Sequence, residues 1–481
     1  MRADVAVVGA GAAGLYAALV AAREGARVVL VSRSPLAETA SYWAQGGIAA
    51  ALALYDSPAR HLADTLAAGR GASRPSAAQV LCEEAPESVH DLESLGVHFD
   101  ADRHGHLALG LEGGHSVRRV VHAGGSATGR RITRELSARA AVDERIEVLE
   151  PATAASLWMR HERCVGLSTR RAGGQATDVM ARATILATGG AAALWERTTN
   201  PPGAVGAGVT LAQHAGAEVA DLEFVQFHPT ALRHGANDGF LITEAIRGEG
   251  AVLVDDAGER FVDELAPRDQ VALAIQHVLL TAPGARVFLD LRKIDMTHFP
   301  NVAAALKRAG LDPARDLIPV APAAHYTMGG IATDLNGQAS LPGLFAVGEC
   351  ACNGLHGANR LASNSLAECF VFGRRAGVAA AAAPQLPDDV GEPPAEAPDA
   401  IPPPATRAAL WGKAGLMRTA DGLRELLDDP FPLARTIAAA ALAREESRGA
   451  HQRSDRPAPD PAFDGRHLVM RGGEIRPERW D

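Results

Sequence analysis

Residues 5–14 read Val-Ala-Val-Val-Gly-Ala-Gly-Ala-Ala-Gly. The apolar run Val5–Val8 has strand composition. It enters Gly9-Ala10-Gly11-Ala12-Ala13-Gly14, a GxGxxG that opens a helix expected from about Gly11 to Arg23, and Arg27–Val31 reads as a second strand. The first glycine permits the tight turn. The second lets backbone approach a pyrophosphate, and the third lets helix and strand pack closely. The helix N-terminus then faces an anion. The spacing therefore predicts a dinucleotide-binding βαβ unit. One position departs from the pattern: Ser32-Arg33 stands where an acidic residue is expected to hold the ribose. Arg33 or backbone groups are the alternatives for that task.

Two further stretches extend the unit. Ala183–Ala187 reads as a strand ending in Thr188-Gly189-Gly190, and Gly343–Val347 as one ending in Gly348-Glu349. They lie far apart in sequence, so a nucleotide-binding domain carrying a long insertion is expected. Residues 1–221 and 328–385 would form that domain and 222–327 the insertion. In the insertion, Ala251–Val254 has strand pattern and Asp269–Leu280 helical pattern. A Pro-rich acidic linker is expected over 386–404, and helical spacing at Arg407–Leu427 and Pro432–Glu446 implies a C-terminal helical domain over 405–481. Together with Gln45-Gly46-Gly47-Ile48-Ala49, the later glycine turns point to FAD rather than NAD.

The composition agrees. In 481 residues, 47% hydrophobic and 22% charged, a large core is within reach, and 49 glycines suit a chain wrapped around a large cofactor. The net charge of −10 and the lack of a basic run argue against a nucleic-acid partner. Cys82, Cys164, Cys350, Cys352 and Cys369 are odd in number and form no CxxC, which points away from disulfides and metal and toward a reducing cytoplasm. No apolar run reaches the length of a membrane span, so no membrane partner is expected, and no targeting segment is visible at the start.

Polar groups concentrate in Glu112-Gly113-Gly114-His115-Ser116, Phe227-His228-Pro229-Thr230, Ala266-Pro267-Arg268-Asp269, His325-Tyr326-Thr327-Met328-Gly329-Gly330 and Gly354-Leu355-His356-Gly357-Ala358-Asn359-Arg360. With the following Leu361–Leu366, these motifs in this order resemble the succinate dehydrogenase/fumarate reductase flavoprotein family. The resemblance runs from Asp4 to about Asp455. Within the family the chain is similar to the branch that oxidises L-aspartate.

The resemblance implies an FAD-binding Rossmann-like α/β domain, an inserted α+β capping domain and a C-terminal helical domain. Cofactor contacts carry over to Gly9–Gly14, Arg33, Ala40, Ser41, Tyr42, Trp43, Ala44, Gln45, Gly46, Gly47, Glu349, Ser365 and Leu366. Ala40 occupies the place of the family's flavin-linking histidine, so FAD is expected to be non-covalent. Ala207, in Gly206-Ala207-Gly208, replaces a usual Asp and implies one flavin hydrogen bond fewer. The stretch from Glu259 to Arg268 is also short for the family.

For the substrate, Arg360, His325, His228 and Thr243 are implied as donors to a small dicarboxylate. A dicarboxylate needs cations or strong donors at both ends, because buried unpaired carboxylates are costly. Glu112 would receive an α-ammonium, a group aspartate has and succinate lacks. Arg268 is implied as the proton donor and acceptor. A guanidinium loses a proton only at very high pH, so Glu264 or Asp269 is expected to relay it. The implied reaction is FAD-dependent oxidation of L-aspartate to iminosuccinate with dioxygen or fumarate as acceptor, the first step of the quinolinate route to NAD. Quinolinate synthase is then a candidate partner. A soluble fumarate reductase or succinate dehydrogenase-like flavoprotein, and an inactive flavin-binding scaffold, are the alternatives.

Overall fold

The computed structural model describes residues 1–36, 39–171, 173–394 and 401–481. The predicted βαβ unit is its centre. Strands Ile146–Leu149, Val28–Val31, Arg2–Val8, Ala176–Leu186 and Leu344–Ala346 lie side by side in parallel, in that order. Val5 pairs with Val28 on one side and Ala183 on the other. Strands buried on both faces need near-continuous apolar runs, and Val5–Val8 and Val28–Val31 supply them. Arg163–Arg171 and Ala152–Arg160 continue the sheet in antiparallel fashion from Ala176–Leu186.

Two helices cover one face. Ala12–Arg23 is buried along almost its whole length and packs on Asn364–Ala381. The two approach closely because a Cβ at Gly377 would sit 2.8 Å from the Ala17 carbonyl oxygen. Tyr16 and Phe370 meet edge to face at 5.3 Å between ring centroids.

The insertion builds its own antiparallel sheet, in the order Val225–Leu232, Leu317–Thr327, Val287–Asp290, Val252–Asp255. Helices Arg268–Leu279 and Pro300–Arg308 cover it over a separate apolar core that includes Leu253, Val271, Ile275 and Leu306.

The C-terminal region differs from the sequence reading. The expected helix over 407–427 is two helices, Pro404–Lys413 and Ala420–Glu425. The next ends at Ala443. The tail then forms a hairpin, His467–Arg471 with Glu474–Glu478. Its first strand pairs with Val219–Ala220, so a region expected to be helical completes a five-stranded sheet. Part of the expected linker, 395–400, lies outside the described residues. Among the described residues no helix is long and apolar enough to cross a membrane.

Candidate functional site

A cavity of about 470 Å³ runs from the glycine turn after the first strand to a cluster of arginines under the insertion. At its first end Gly9 has φ +110°, and a Cβ there would lie 2.2 Å from the Ala187 oxygen. Only glycine makes this turn. Gly9, Ala10, Gly11, Ala12 and Ala13 line the cavity. Gly14 does not; its place is in the packing of the turn, where a Cβ would meet the Gly9 oxygen at 1.9 Å. No acidic residue stands in the first turn of Ala12–Arg23, which leaves the helix N-terminus free for an anion. Ser41 approaches that turn, its Oγ accepting from Ala12 N at 3.0 Å.

Arg33 also lines the cavity, at the place an acidic residue was expected. Its guanidinium lies over Gly203, where a Cβ would be 1.7 Å from Nη2. Ala40, Trp43, Ala44, Gln45, Gly46 and Gly47 follow along the wall, with Ala207, Glu349, Ser365 and Leu366. Tyr42 is a correction. Its ring packs on Trp43 and under Arg130 and is not part of the wall.

Two polar atoms on this wall, Thr39 Oγ1 and Gln45 Oε1, are buried with no hydrogen-bond partner in the protein. Burial pushes the Glu349 carboxyl up to about 7, although it accepts from Thr327 N at 2.9 Å. A glycine-walled cleft with an anion-ready helix end and unsatisfied polar atoms fits a dinucleotide cofactor.

The other end of the cavity gathers Glu112, His228, Thr243, Arg268, His325 and Arg360, which come from six separate segments of the sequence. Gln226 joins the two arginines. Its Oε1 accepts from Arg268 Nη1 and Arg360 Nη2, both at 3.1 Å, while its Nε2 donates to Asn359 Oδ1 and the Arg360 oxygen. Arg360 Nη1 reaches Ser365 Oγ at 3.0 Å, and the guanidinium lies 4.5 Å over the Tyr326 ring. Burial, with Arg268 nearby, pushes Arg360 down to about 10. Burial and the Arg268 charge also hold His228 and His325 well below the usual histidine range, so both rings are neutral at neutral pH. His228 Nδ1 accepts from Thr230 N, which leaves Nε2 as the donor.

Arg268 pairs with neither expected relay. Glu264 accepts from Leu253 N and pairs with Arg260, and Asp269 pairs with Arg70. The partner is Glu244, whose Oε2 lies 2.5 Å from Arg268 Nε. Glu244 Oε1 accepts from Gly113 N at 2.9 Å and faces Arg247 Nη2 at 3.3 Å. Burial alone would raise this carboxyl; Arg268 and Arg247 outweigh it and hold it below the usual carboxylate range. The sequence signal was the acid–base pair three residues apart in Thr243-Glu244-Ala245-Ile246-Arg247, of which only Thr243 was singled out.

Glu112 is 2% exposed. Its Oε2 accepts from Ser363 Oγ at 2.6 Å. Ser363 holds a left-handed backbone, φ +60°, a strain on the order of 1 kcal/mol. The same hydroxyl accepts from Gly47 N at 3.2 Å, so one side chain ties the Glu112 segment to the cofactor loop. Glu112 Oε1 has no partner, and His122 Nε2, also unpartnered, lies 3.6 Å away.

Comparison with known proteins agrees with this geometry. The FAD binding domain family matches residues 4–366, and the fumarate reductase flavoprotein C-term family matches 426–474. The chain is 47% identical to an L-aspartate oxidase of Caulobacter vibrioides over 97% of its own length and 96% of the relative's. It is 45% identical to one of Mesorhizobium japonicum, over 95% and 92%. Among solved structures, a mutant of E. coli quinol fumarate reductase FrdA superposes with a TM-score of 0.89 at 29% identity, over 99% of this chain and 96% of that one. The glycine cradle, the arginine cluster and these likenesses over nearly the whole length lead to one assignment: the chain belongs to the L-aspartate oxidase family of FAD-dependent oxidoreductases.

Proposed function

We propose that the chain oxidises L-aspartate to iminosuccinate, with dioxygen or fumarate as the final electron acceptor, as the first step of the quinolinate route to NAD. The observation that carries this reading is Glu112. A buried carboxylate with one oxygen unpartnered, in a pocket dominated by arginines, matches a substrate with two carboxylates and one ammonium. Succinate has no group for it, and leaving a buried charge uncompensated is costly.

In this reading Arg360 and the neutral rings of His228 and His325 hold the carboxylates, and Thr243 adds a hydroxyl. Gln226 keeps the guanidinium groups of Arg268 and Arg360 at fixed spacing, which is positioning rather than chemistry. When fumarate accepts the electrons, Arg268 gives the proton that goes to carbon, with Glu244 as the acid that shares it. Backbone at Gly9–Ala13, with Arg33, Ser41, Gln45 and Glu349, would hold the cofactor, and nothing at Ala40 can bond to it covalently. FAD, when bound, supplies the two-electron acceptor for the hydride that leaves Cα. The product is a reactive imine, and quinolinate synthase is the enzyme proposed to take it over.

The test is Glu112→Gln, which keeps the shape and removes the charge. Aspartate oxidation is expected to fall by a factor set by one charge-assisted hydrogen bond, about 1.5–3 kcal/mol, or roughly 10- to 100-fold in kcat/KM. Fumarate reduction on the same FAD-loaded preparation is expected to persist. Parallel loss of both activities would assign Glu112 to the fold and remove the basis for aspartate.

A further inference from the structure

Oxidation at the carbon of an amine requires the nitrogen lone pair, and an ammonium has none to give. The proton on the substrate nitrogen must therefore leave before the C=N bond forms. We propose that His122, acting through Glu112, receives it. This rests on the reading of Glu112 as the ammonium partner.

The geometry is specific. Glu112 Oε1 and His122 Nε2 are both buried, both without hydrogen-bond partners, and 3.6 Å apart. A small side-chain rotation closes that gap to a hydrogen bond. The ring packs over Gly110, where a Cβ would crowd His122 Cε1 at 3.3 Å and Nε2 at 3.4 Å. The Glu112 side chain is 1% exposed and that of His122 14%, so the pair leads from the closed pocket toward water.

Arg247 and His115 also interact with Glu112. Arg247 is paired with Glu244. His115 is engaged at both ring nitrogens, Nε2 with the Ala362 oxygen at 2.9 Å and Nδ1 with Arg119 at 3.0 Å. Asp100, beside His122 in the fold, gives its carboxylate to the amides of Gly124 and Gly125. Among these described groups, His122 is the one with a ring nitrogen free to take a proton. The step balances simply. An N–H bond of the substrate ammonium breaks and its electron pair stays on nitrogen. The proton bonds to Glu112 Oε1 and passes to the Nε2 lone pair of His122. The nitrogen pair then forms the C=N bond as the Cα hydride departs to the bound FAD.

The experiment measures aspartate oxidation and fumarate reduction across pH on FAD-loaded wild type, His122→Gln, His122→Ala and Glu112→Gln. The glutamine variant keeps a hydrogen-bond donor near Oε1 without a basic nitrogen. Both His122 variants are expected to lower aspartate kcat/KM relative to fumarate reduction by roughly 10²-fold near neutral pH. The acid limb of the aspartate profile should move to higher pH, and added imidazole should restore His122→Ala toward aspartate alone. An unchanged activity ratio in His122→Gln, or no imidazole rescue, overturns the proposal. If Glu112→Gln separates the two activities and the His122 variants do not, the ammonium reading stands and the relay falls. If Glu112→Gln leaves the ratio unchanged, the ammonium reading falls first and takes the relay with it.

Discussion

Arg268 and Arg444 are both buried against carboxylates, yet their surroundings differ in kind. Arg444 is closed on every side. Its Nε lies 2.6 Å from Glu223, its Nη1 3.1 Å from Glu446, and its Nη2 donates to the Arg466 oxygen and lies 3.8 Å from Asp221. Phe224 and Phe463 cover the guanidinium at 4.5 and 5.2 Å. His467 meets Asp221 at 2.6 Å, and Arg448 shares Glu446. Around Arg268 the balance fails: Arg247, Arg268 and Arg360 lie about Glu244, with Glu112 a second carboxylate at this end of the cavity, and the Nε atoms of Arg247 and Arg360 have no partner. One cluster finds its counter-charges within the protein, although Glu223 Oε2 is left without a hydrogen bond. The other holds more guanidinium than carboxylate, an excess that an anionic substrate offsets. Buried arginine alone does not mark a site; the missing counter-charge does.

The largest effect expected from breaking this contrast is at Arg268. Arg268→Leu should lower kcat for fumarate reduction by roughly 10²–10⁴-fold, the span of a lost proton-transfer group, while the melting temperature changes little. Stopped-flow oxidation of the reduced flavin by fumarate checks it, and a normal rate would remove Arg268 from the chemistry. Arg444→Ala should do the reverse. It strands Glu223 in the interior, which costs roughly 3–5 kcal/mol. Denaturant unfolding measures the loss, and activity per bound FAD should be unchanged. A fall in that specific activity would mean that the two clusters are not separate.

The smallest effect is in pH dependence. Burial pushes both Glu349, at the cavity, and Glu223, in the closed cluster, from 4.5 to about 7. Between those values the folded chain keeps a proton that the unfolded chain has released, so stability falls as pH rises through the window. Glu349→Gln should flatten the decline in melting temperature between about pH 5 and pH 8. Glu223→Gln should flatten it by about the same amount, because the attraction of Arg444 is already contained in that value. A decline left unchanged in either variant would contradict the retained proton at that carboxyl.

The fold was legible wherever local pattern decides it. The GxGxxG after Val5–Val8 identified the turn, the first helix and the parallel sheet, because each depends on residues close in sequence. The tail was misread despite a signal. Gly472-Gly473 between two short runs is a hairpin mark, but the alanine-rich helices before it set the expectation. In the site, residues inside long motifs were found: Glu112, His228, Arg268, His325 and Arg360 converge on one cavity. Glu244, Gln226, Ser363 and His122 were not singled out. Their importance lies in contacts, such as Gln226 with Arg268 and Arg360, and contact between distant segments is not written in a single sequence. For the same reason Glu264 and Asp269 were chosen as relays by closeness along the chain, while Glu244, further away in number, is the neighbour in space.

The hairpin at the end of the chain also bears on how the protein is made. Val219–Ala220 pairs with Gly330–Ala332 on one side and with His467–Arg471 on the other. On a ribosome the second partner emerges some 250 residues after the strand it completes. At 5–20 residues per second this leaves roughly 10–50 s in which one sheet edge of the nascent chain is uncovered. Unpaired edges invite pairing with other chains. Slow translation of the last third of the message should therefore favour aggregation, and a bound chaperone would be needed at that stage rather than earlier.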